Sequence, residues 1–326
     1  MNQSYKKKNN PAVVWYLAII FICTFGLGTL EKIFQTGKFY HILQTGFTAL
    51  PVVTAWIVRK ITGEKSRSKL SLKVWKDCKM WLFCLIVPAI LIVLGAVLYF
   101  MVFRNEYSKV FEWGQLTGND ARIGISNPIL FILICIFISA VCFPIHLLEL
   151  GEEVGWRGYL LWFQVEKYGT RKAVLVNGFE WGLVHMPLIY FGFNYSNENP
   201  GAPWSNMACM MLACIVLGIL FSYVTLKTGN CMYAAIMHGV VNIIGEIPVF
   251  CSVSLKSGLL GPNPTGLLSM TLLIIMAIVL YFRLEEDSIL STGYPVKDAC
   301  KDGLLSDRGG TDMTKAYWDG TRDHRL

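Results

Sequence analysis

The sequence predicts an all-α protein, a polytopic membrane bundle of about eight transmembrane helices. Its 326 residues are 54% hydrophobic and only 16% charged, whereas about a quarter of the residues in a soluble domain are charged. The apolar residues also come in blocks, and a helix needs about 20 of them to cross a bilayer core of roughly 30 Å. Composition and block length exclude a single soluble core and predict repeated membrane crossings.

Eight apolar stretches are long enough to cross the bilayer. They cover residues 12–29, 39–58, 80–103, 127–164, 172–193, 204–226, 231–250 and 265–283. The fourth stretch is too long for one upright helix. We interpret it as one long, tilted helix kinked near Pro144, because two crossings there would break the alternation of charge between the loops.

The distribution of Lys and Arg predicts the orientation, because basic loops are retained on the cytoplasmic side. With the N-terminus inside, the predicted inner segments hold 23 of the 29 basic residues and the outer loops hold six. The sequence therefore predicts a multi-pass plasma-membrane protein with both termini in the cytoplasm. The net charge of +7 is then a topology signal. No Gly-rich phosphate loop or aromatic-interleaved basic domain predicts a nucleic-acid partner.

Four regions follow from this pattern. Residues 1–126 form a cytosolic tail and three transmembrane helices, 127–250 form a core that carries the polar residues, and 251–283 contain the last helix. Residues 284–326 are charged and lack apolar periodicity, which predicts a flexible cytosolic tail. The ten cysteines contain no CxxC pair, so we interpret them as packing residues and predict neither a disulfide framework nor a cysteine zinc site.

Ionisable residues are rare inside the apolar stretches, where one charge costs on the order of 2.5 to 3.5 kcal/mol. The fourth stretch nevertheless contains Glu149, Glu152, Glu153 and Arg157. On a helix, Glu153 and Arg157 are four residues apart and can pair, whereas Glu152 points about 100° away. The spacing predicts one neutralised carboxylate and a neighbour that is available for chemistry.

Two later stretches each contain a histidine with a partner at helical spacing. Trp181 precedes His185 by four residues, and Asn242 follows His238 by four, so the members of each pair share a helix face. His185 lies roughly 20 Å along its helix from the inner end, close to the depth of Glu152. We therefore expect three helices to bring Glu, His and His with an amide into one membrane slab.

These residues resemble the three signature motifs of the CPBP intramembrane proteases, the CAAX protease and bacteriocin-processing family that includes the type II CAAX prenyl endopeptidase. The motifs are Glu-Glu-Val-Gly-Trp-Arg at 152–157, Trp-Gly-Leu-Val-His at 181–185 and His-Gly-Val-Val-Asn at 238–242. The likeness covers roughly residues 127–250. The family usually has Phe where this chain has Trp181, so an aromatic ring is kept.

The resemblance implies a CAAX-type endopeptidase that hydrolyses a peptide bond in a peptide or prenylated-protein substrate. The roles it implies are activation of water by Glu152 and His185, hydrogen bonds to the oxyanion from His238 and Asn242, and support from Glu153, Arg157 and Trp181.

A zinc-dependent version is the alternative, with Glu152, His185 and His238 as metal ligands. We favour the metal-free version with no cofactor, because no HExxH motif is present. Moreover, if Glu152 bound the metal, the base would have to be Glu153, which Arg157 already occupies.

Two other classes of function fit the same residues. A proton-coupled carrier would also place Glu and His in the membrane, and it should tolerate Asn242→Ala better than a hydrolase does. A non-catalytic membrane interaction or immunity protein is compatible with the same fold. We favour hydrolysis because all three motifs are intact.

Overall fold

The regular structure of this protein is helical, as predicted. A computed structural model describes residues 11–34, 37–63, 70–108, 127–142, 146–254 and 258–284. Within those ranges no strand occurs, and β pairing is limited to one bridge between Tyr107 and Ser252. The all-α class is therefore confirmed. The predicted C-terminal tail lies outside the described residues, except for Leu284.

Seven of the eight predicted stretches each correspond to one helix, and the fourth contains several. The bounds are α1 Pro11–Phe34, α2 Gly37–Thr62, α3 Cys78–Val102, α4 Pro128–Val141, α5 Leu147–Gly155, α6 Leu161–Tyr168, α7 Thr170–Tyr190, α8 Trp204–Thr228, α9 Met232–Phe250 and α10 Thr271–Phe282. Short 3-10 turns precede and follow α3. By length and composition, α1, α3, α8 and α9 can cross a membrane, and α4 and α10 are apolar but shorter.

The fourth stretch is not one continuous helix, which corrects our interpretation of residues 127–164. α4 ends at Val141, and α5 begins only at Leu147. Within this break, the buried His146 ring donates from Nε2 to the carbonyl of Ser139 at 2.8 Å. This bond brings a side-chain donor to a carbonyl in the last turn of α4. The kink predicted at Pro144 lies outside the described residues.

α5 runs into α6 through a π turn, Trp156–Leu160. The N–H of Leu161 bonds to the carbonyl of Trp156, one residue further back than in an α-helix. Such turns are rare and occur mostly as single insertions, often at functional sites. This one contains Arg157 and begins three residues after Glu153.

Loop contacts determine which helix ends share a side of the bundle. The Asn230 side chain bonds to both the N–H and the carbonyl of Ser71, which joins the start of α9 to the start of α3. The Val253 N–H bonds to the carbonyl of Glu106, which joins their ends. α3 and α9 are therefore parallel, as the predicted alternation of loops requires. Which side is cytoplasmic stays a prediction.

Glycines let the helices around the core approach closely. A Cβ at Gly155 would lie 2.4 Å from the Cβ of Pro51 in α2. On the other side, a Cβ at Gly178 in α7 would lie 2.9 Å from the Cα of Ile215 in α8, and Gly218 faces Gly178 just as closely. In lipid, such small-residue contacts replace much of the hydrophobic driving force. They set the spacing of the helices that carry the motifs.

We expect Gly155→Ala to lower the free energy of unfolding by about 1 to 3 kcal/mol, because the new methyl group overpacks the contact with Pro51. Gly26→Ala in α1 is the matched control, since a Cβ there meets nothing within 4 Å and alanine favours a helix. Thermal unfolding in detergent measures both. Equal stability of the two variants would contradict the close approach of α5 to α2.

Candidate active site

The three motifs meet around the indole ring of Trp181. Its Nε1–H donates to Oε2 of Glu152 at 3.1 Å. The ring also makes edge contacts with both imidazoles, at centroid distances of 5.4 Å to His185 and 5.5 Å to His238. All four side chains are buried. Helices α5, α7 and α9 therefore each contribute one motif to a single cluster.

Glu153 is a fully buried carboxylate with two partners on one oxygen. Nη1 of Arg157 donates to Oε1 at 3.0 Å, and both side chains have no solvent exposure. Nδ1 of His238 lies 3.0 Å from the same oxygen. The ion pair expected from the four-residue spacing is therefore present. Its link to α9 was missed, because the two residues are 85 positions apart in the sequence.

Aromatic rings surround the Arg157 guanidinium. Its Cζ lies 4.5 Å from the centroid of the Trp181 ring and 5.3 Å from that of Phe221. Phe221 in α8 also stacks on His238, with centroids 5.0 Å apart. Cation–π contacts of this kind contribute about 2 kcal/mol when they are desolvated. Sequence reasoning missed Phe221, because one more aromatic residue in an apolar stretch gives no signal.

Hydrogen-bond partners determine which nitrogen each histidine can offer to a substrate. Nδ1 of His185 lies 2.9 Å from the carbonyl oxygen of Trp181, which can only accept, so Nδ1 carries the proton. In the neutral ring, Nε2 then has a lone pair. Nδ1 of His238 faces the carboxylate of Glu153 and donates to it. Nε2 is the remaining nitrogen in both rings.

Asn242 contacts Glu149, a carboxylate that the sequence analysis did not assign to the site. It is exposed, and its Nδ2 donates to Oε1 of Glu149 at 3.1 Å. Glu149 lies almost one turn before Glu152 on α5, so this bond is at the edge of the cluster. The second N–H of the Asn242 amide is not used in that bond.

The described residues contain no candidate set of metal ligands. Among the residues that the structure describes, no group of three or more His, Cys, Asp or Glu side chains is placed to hold one. Glu152, His185 and His238 each contact the indole of Trp181. The zinc-ligand alternative for these three residues is therefore not supported by the geometry.

Arg157→Ala is expected to cost about 3 to 5 kcal/mol of stability, because it leaves the buried Glu153 carboxylate without its main countercharge. The double change Glu153→Gln with Arg157→Met removes both charges and should recover much of that loss. Unfolding of the purified protein in detergent gives the comparison. Arg283→Ala, at an exposed position after α10, is the control.

If Arg157→Ala unfolds at the same temperature as the parent protein, the ion pair is not structural. A double variant that is less stable than Arg157→Ala would also contradict this interpretation.

Comparison with known proteins agrees with these motifs. Residues 125–244 match the family model described as type II CAAX prenyl endopeptidase Rce1-like. The CAAX prenyl protease 2 of Methanococcus maripaludis is 31% identical over 110 residues, which is 33% of this chain and 40% of that protein. The chain thus matches less than half the length of this curated relative. The matched family region contains all seven predicted site residues.

Proposed function

We propose that this chain is an intramembrane endopeptidase, on the premise that residues 125–244 belong to the CAAX protease family. The family match confirms the resemblance predicted from the three motifs. The observation that carries the proposal is the contact of Glu152, His185 and His238 with one buried indole. A buried carboxylate and two imidazoles can supply the general base and the hydrogen bonds that hydrolysis of a peptide bond uses.

The proposed substrate is a protein or peptide whose C-terminus carries a prenylated cysteine in a CAAX sequence. The name of the Methanococcus relative suggests this class, and the membrane setting suits it. A prenyl chain partitions into the bilayer with a free energy of about 0.8 kcal/mol per buried CH₂. The lipid would therefore hold the nearby peptide bond at the depth of the buried cluster.

In the first step, Glu152 acts as the general base. Trp181 donates to Oε2, so Oε1 takes a proton from a water molecule. Nε2 of His185 accepts a hydrogen bond from the other O–H of that water and so orients the water. The water oxygen bonds to the substrate carbonyl carbon. The C=O π electrons move onto the carbonyl oxygen, which becomes the oxyanion of a tetrahedral intermediate.

His238 and Asn242 are the proposed donors to this oxyanion. Because His238 gives Nδ1–H to Glu153, its Nε2 can donate only in the imidazolium form, which the Glu153 carboxylate stabilises. Asn242 would donate the N–H that Glu149 does not use. As the intermediate collapses, the C–N bond breaks, and Glu152 returns its proton to the leaving amine.

Glu153 and Arg157 support this chemistry without taking part in proton transfer. Their ion pair fixes Nδ1 of His238 through Oε1 of Glu153. Arg157 also packs on the ring of Trp181, which bonds to Glu152. The buried Glu153–Arg157 pair therefore positions both His238 and, through Trp181, Glu152.

Glu152→Gln, His185→Ala and His238→Ala should each lower turnover by about 100- to 10,000-fold, since each removes a group that moves or orients a proton. The assay is release of the C-terminal tripeptide from a farnesylated CAAX peptide by protein in liposomes. Glu246→Gln is the matched control, because Glu246 is an exposed acid on α9 beyond the third motif. Full turnover in the three variants would remove the site assignment.

Because no group of three or more His, Cys, Asp or Glu side chains is placed to hold a metal ion among the described residues, we expect turnover to survive zinc chelation. The same peptide assay is run with a strong chelator and then with added zinc. Loss of cleavage with the chelator and its recovery with zinc would contradict the metal-free mechanism. Thermal unfolding under both conditions separates an effect on the site from an effect on the fold.

A further inference from the structure

Two buried hydrogen-bond acceptors converge on Asn177 in α7. Its Nδ2 lies 3.2 Å from the carbonyl oxygen of Trp156 and 2.9 Å from Oε1 of Gln164. Asn177 has no solvent exposure and Gln164 has 1%. Trp156 is the first residue of the π turn, so Asn177 binds the carbonyl at which the helix changes its hydrogen-bond pattern.

The partners on both sides require a donor at position 177. The Trp156 carbonyl can only accept. On the other side, Nε2 of Gln164 donates to Glu180, which leaves Oε1 of Gln164 as the acceptor towards Asn177. An NH₂ group supplies two donors, whereas Asp or Leu of similar size cannot supply both. The amide oxygen of Asn177 has no hydrogen-bond partner among the described residues, so the asparagine serves here as a donor.

Asn177 shares a helix face with two residues of the cluster. Asn177, Trp181 and His185 follow one another at intervals of four, which places them on one stripe of α7. Asn177 binds the carbonyl of Trp156 in the π turn, and Trp181 binds Glu152, which lies four residues before Trp156. The stripe therefore contacts the helix of the first motif at two successive turns.

We propose that Asn177 is a positioning residue. It holds α7 in register with the π turn, so that the Trp181 indole meets Glu152 and His185 lies beside it. Gln164 completes the same hydrogen-bond chain between α6 and α7. The effect on catalysis rests on the proposed function, whereas the effect on the contact between Trp181 and Glu152 does not.

The test compares Asn177→Asp, Asn177→Leu and Gln164→Met with a matched control, Asn206→Leu. Asn206 is also a fully buried asparagine, and it makes two side-chain hydrogen bonds, to Ser196 and Asn199, away from the π turn. Loss of the Asn206 hydrogen bonds should lower the free energy of unfolding about as much as loss of the Asn177 hydrogen bonds. Gln164→Met keeps the result interpretable if the Asn177 variants fold poorly.

The structural readout is the indole N–H signal of Trp181 in protein labelled with ¹⁵N-tryptophan. Trp181→Phe assigns the signal, and Glu152→Gln shows its position when the carboxylate is replaced. We expect the Asn177 and Gln164 variants to shift this signal and Asn206→Leu to leave it in place. Asn177→Asp should act as strongly as Asn177→Leu, because neither supplies two donors.

The kinetic readout is cleavage of the farnesylated peptide, corrected for the folded fraction. We expect the Asn177 variants to lower kcat by about 100-fold with a change in KM of less than about threefold, because misplacement by 1 Å has that effect on a reacting group. Asn206→Leu should retain the parent kcat.

A folded Asn177→Leu or Asn177→Asp protein with the parent indole signal and the parent kcat would overturn the positioning role. If the parent protein itself does not cleave the peptide, the proposed function fails. In that case an unshifted indole signal in the folded Asn177 or Gln164 variants still contradicts the positioning role, and a shifted signal supports it.

Discussion

The buried Glu153 carboxylate is the group on which the rest of the site depends. It has no solvent exposure and lies in a helix that also carries Glu152. Transfer of one ion into such surroundings costs several kcal/mol, which only close partners with good geometry can offset. Arg157 and His238 meet that need on the same oxygen, at 3.0 Å each. The need of this carboxylate for close partners therefore ties α5 to α9.

That requirement fixes the positions of other groups in turn. Arg157 is held over the rings of Trp181 and Phe221, so α7 and α8 are tied to the same charge. Trp181 then presents its N–H to Glu152. The glycine contacts at 155, 178 and 218 allow the helices to come this close. Close backbone packing and a single compensated charge together bring residues from distant parts of the sequence into one cluster.

Local spacing explains what could be predicted. Apolar blocks predict the helices, and four-residue spacing predicts the pairing of Glu153 with Arg157. Depth along the helices predicts that Glu152, His185 and His238 lie in one membrane slab, and the family resemblance added their roles. The bond from His238 to Glu153, the ring of Phe221 and the donors of Asn177 join separate helices and leave no periodic signal. The break between α4 and α5 was also missed, because Cys142 and His146 lie in a stretch that is apolar on both sides.

The central claim is that Glu153 couples the first motif to the third, and a double-mutant cycle tests it most directly. The cycle measures the free energy of unfolding for the parent, Glu153→Gln, His238→Gln and the double variant in detergent. Our account predicts a coupling energy of about 1 to 3 kcal/mol, since the two side chains share one buried hydrogen bond. Additive effects, with a coupling energy near zero, would contradict it.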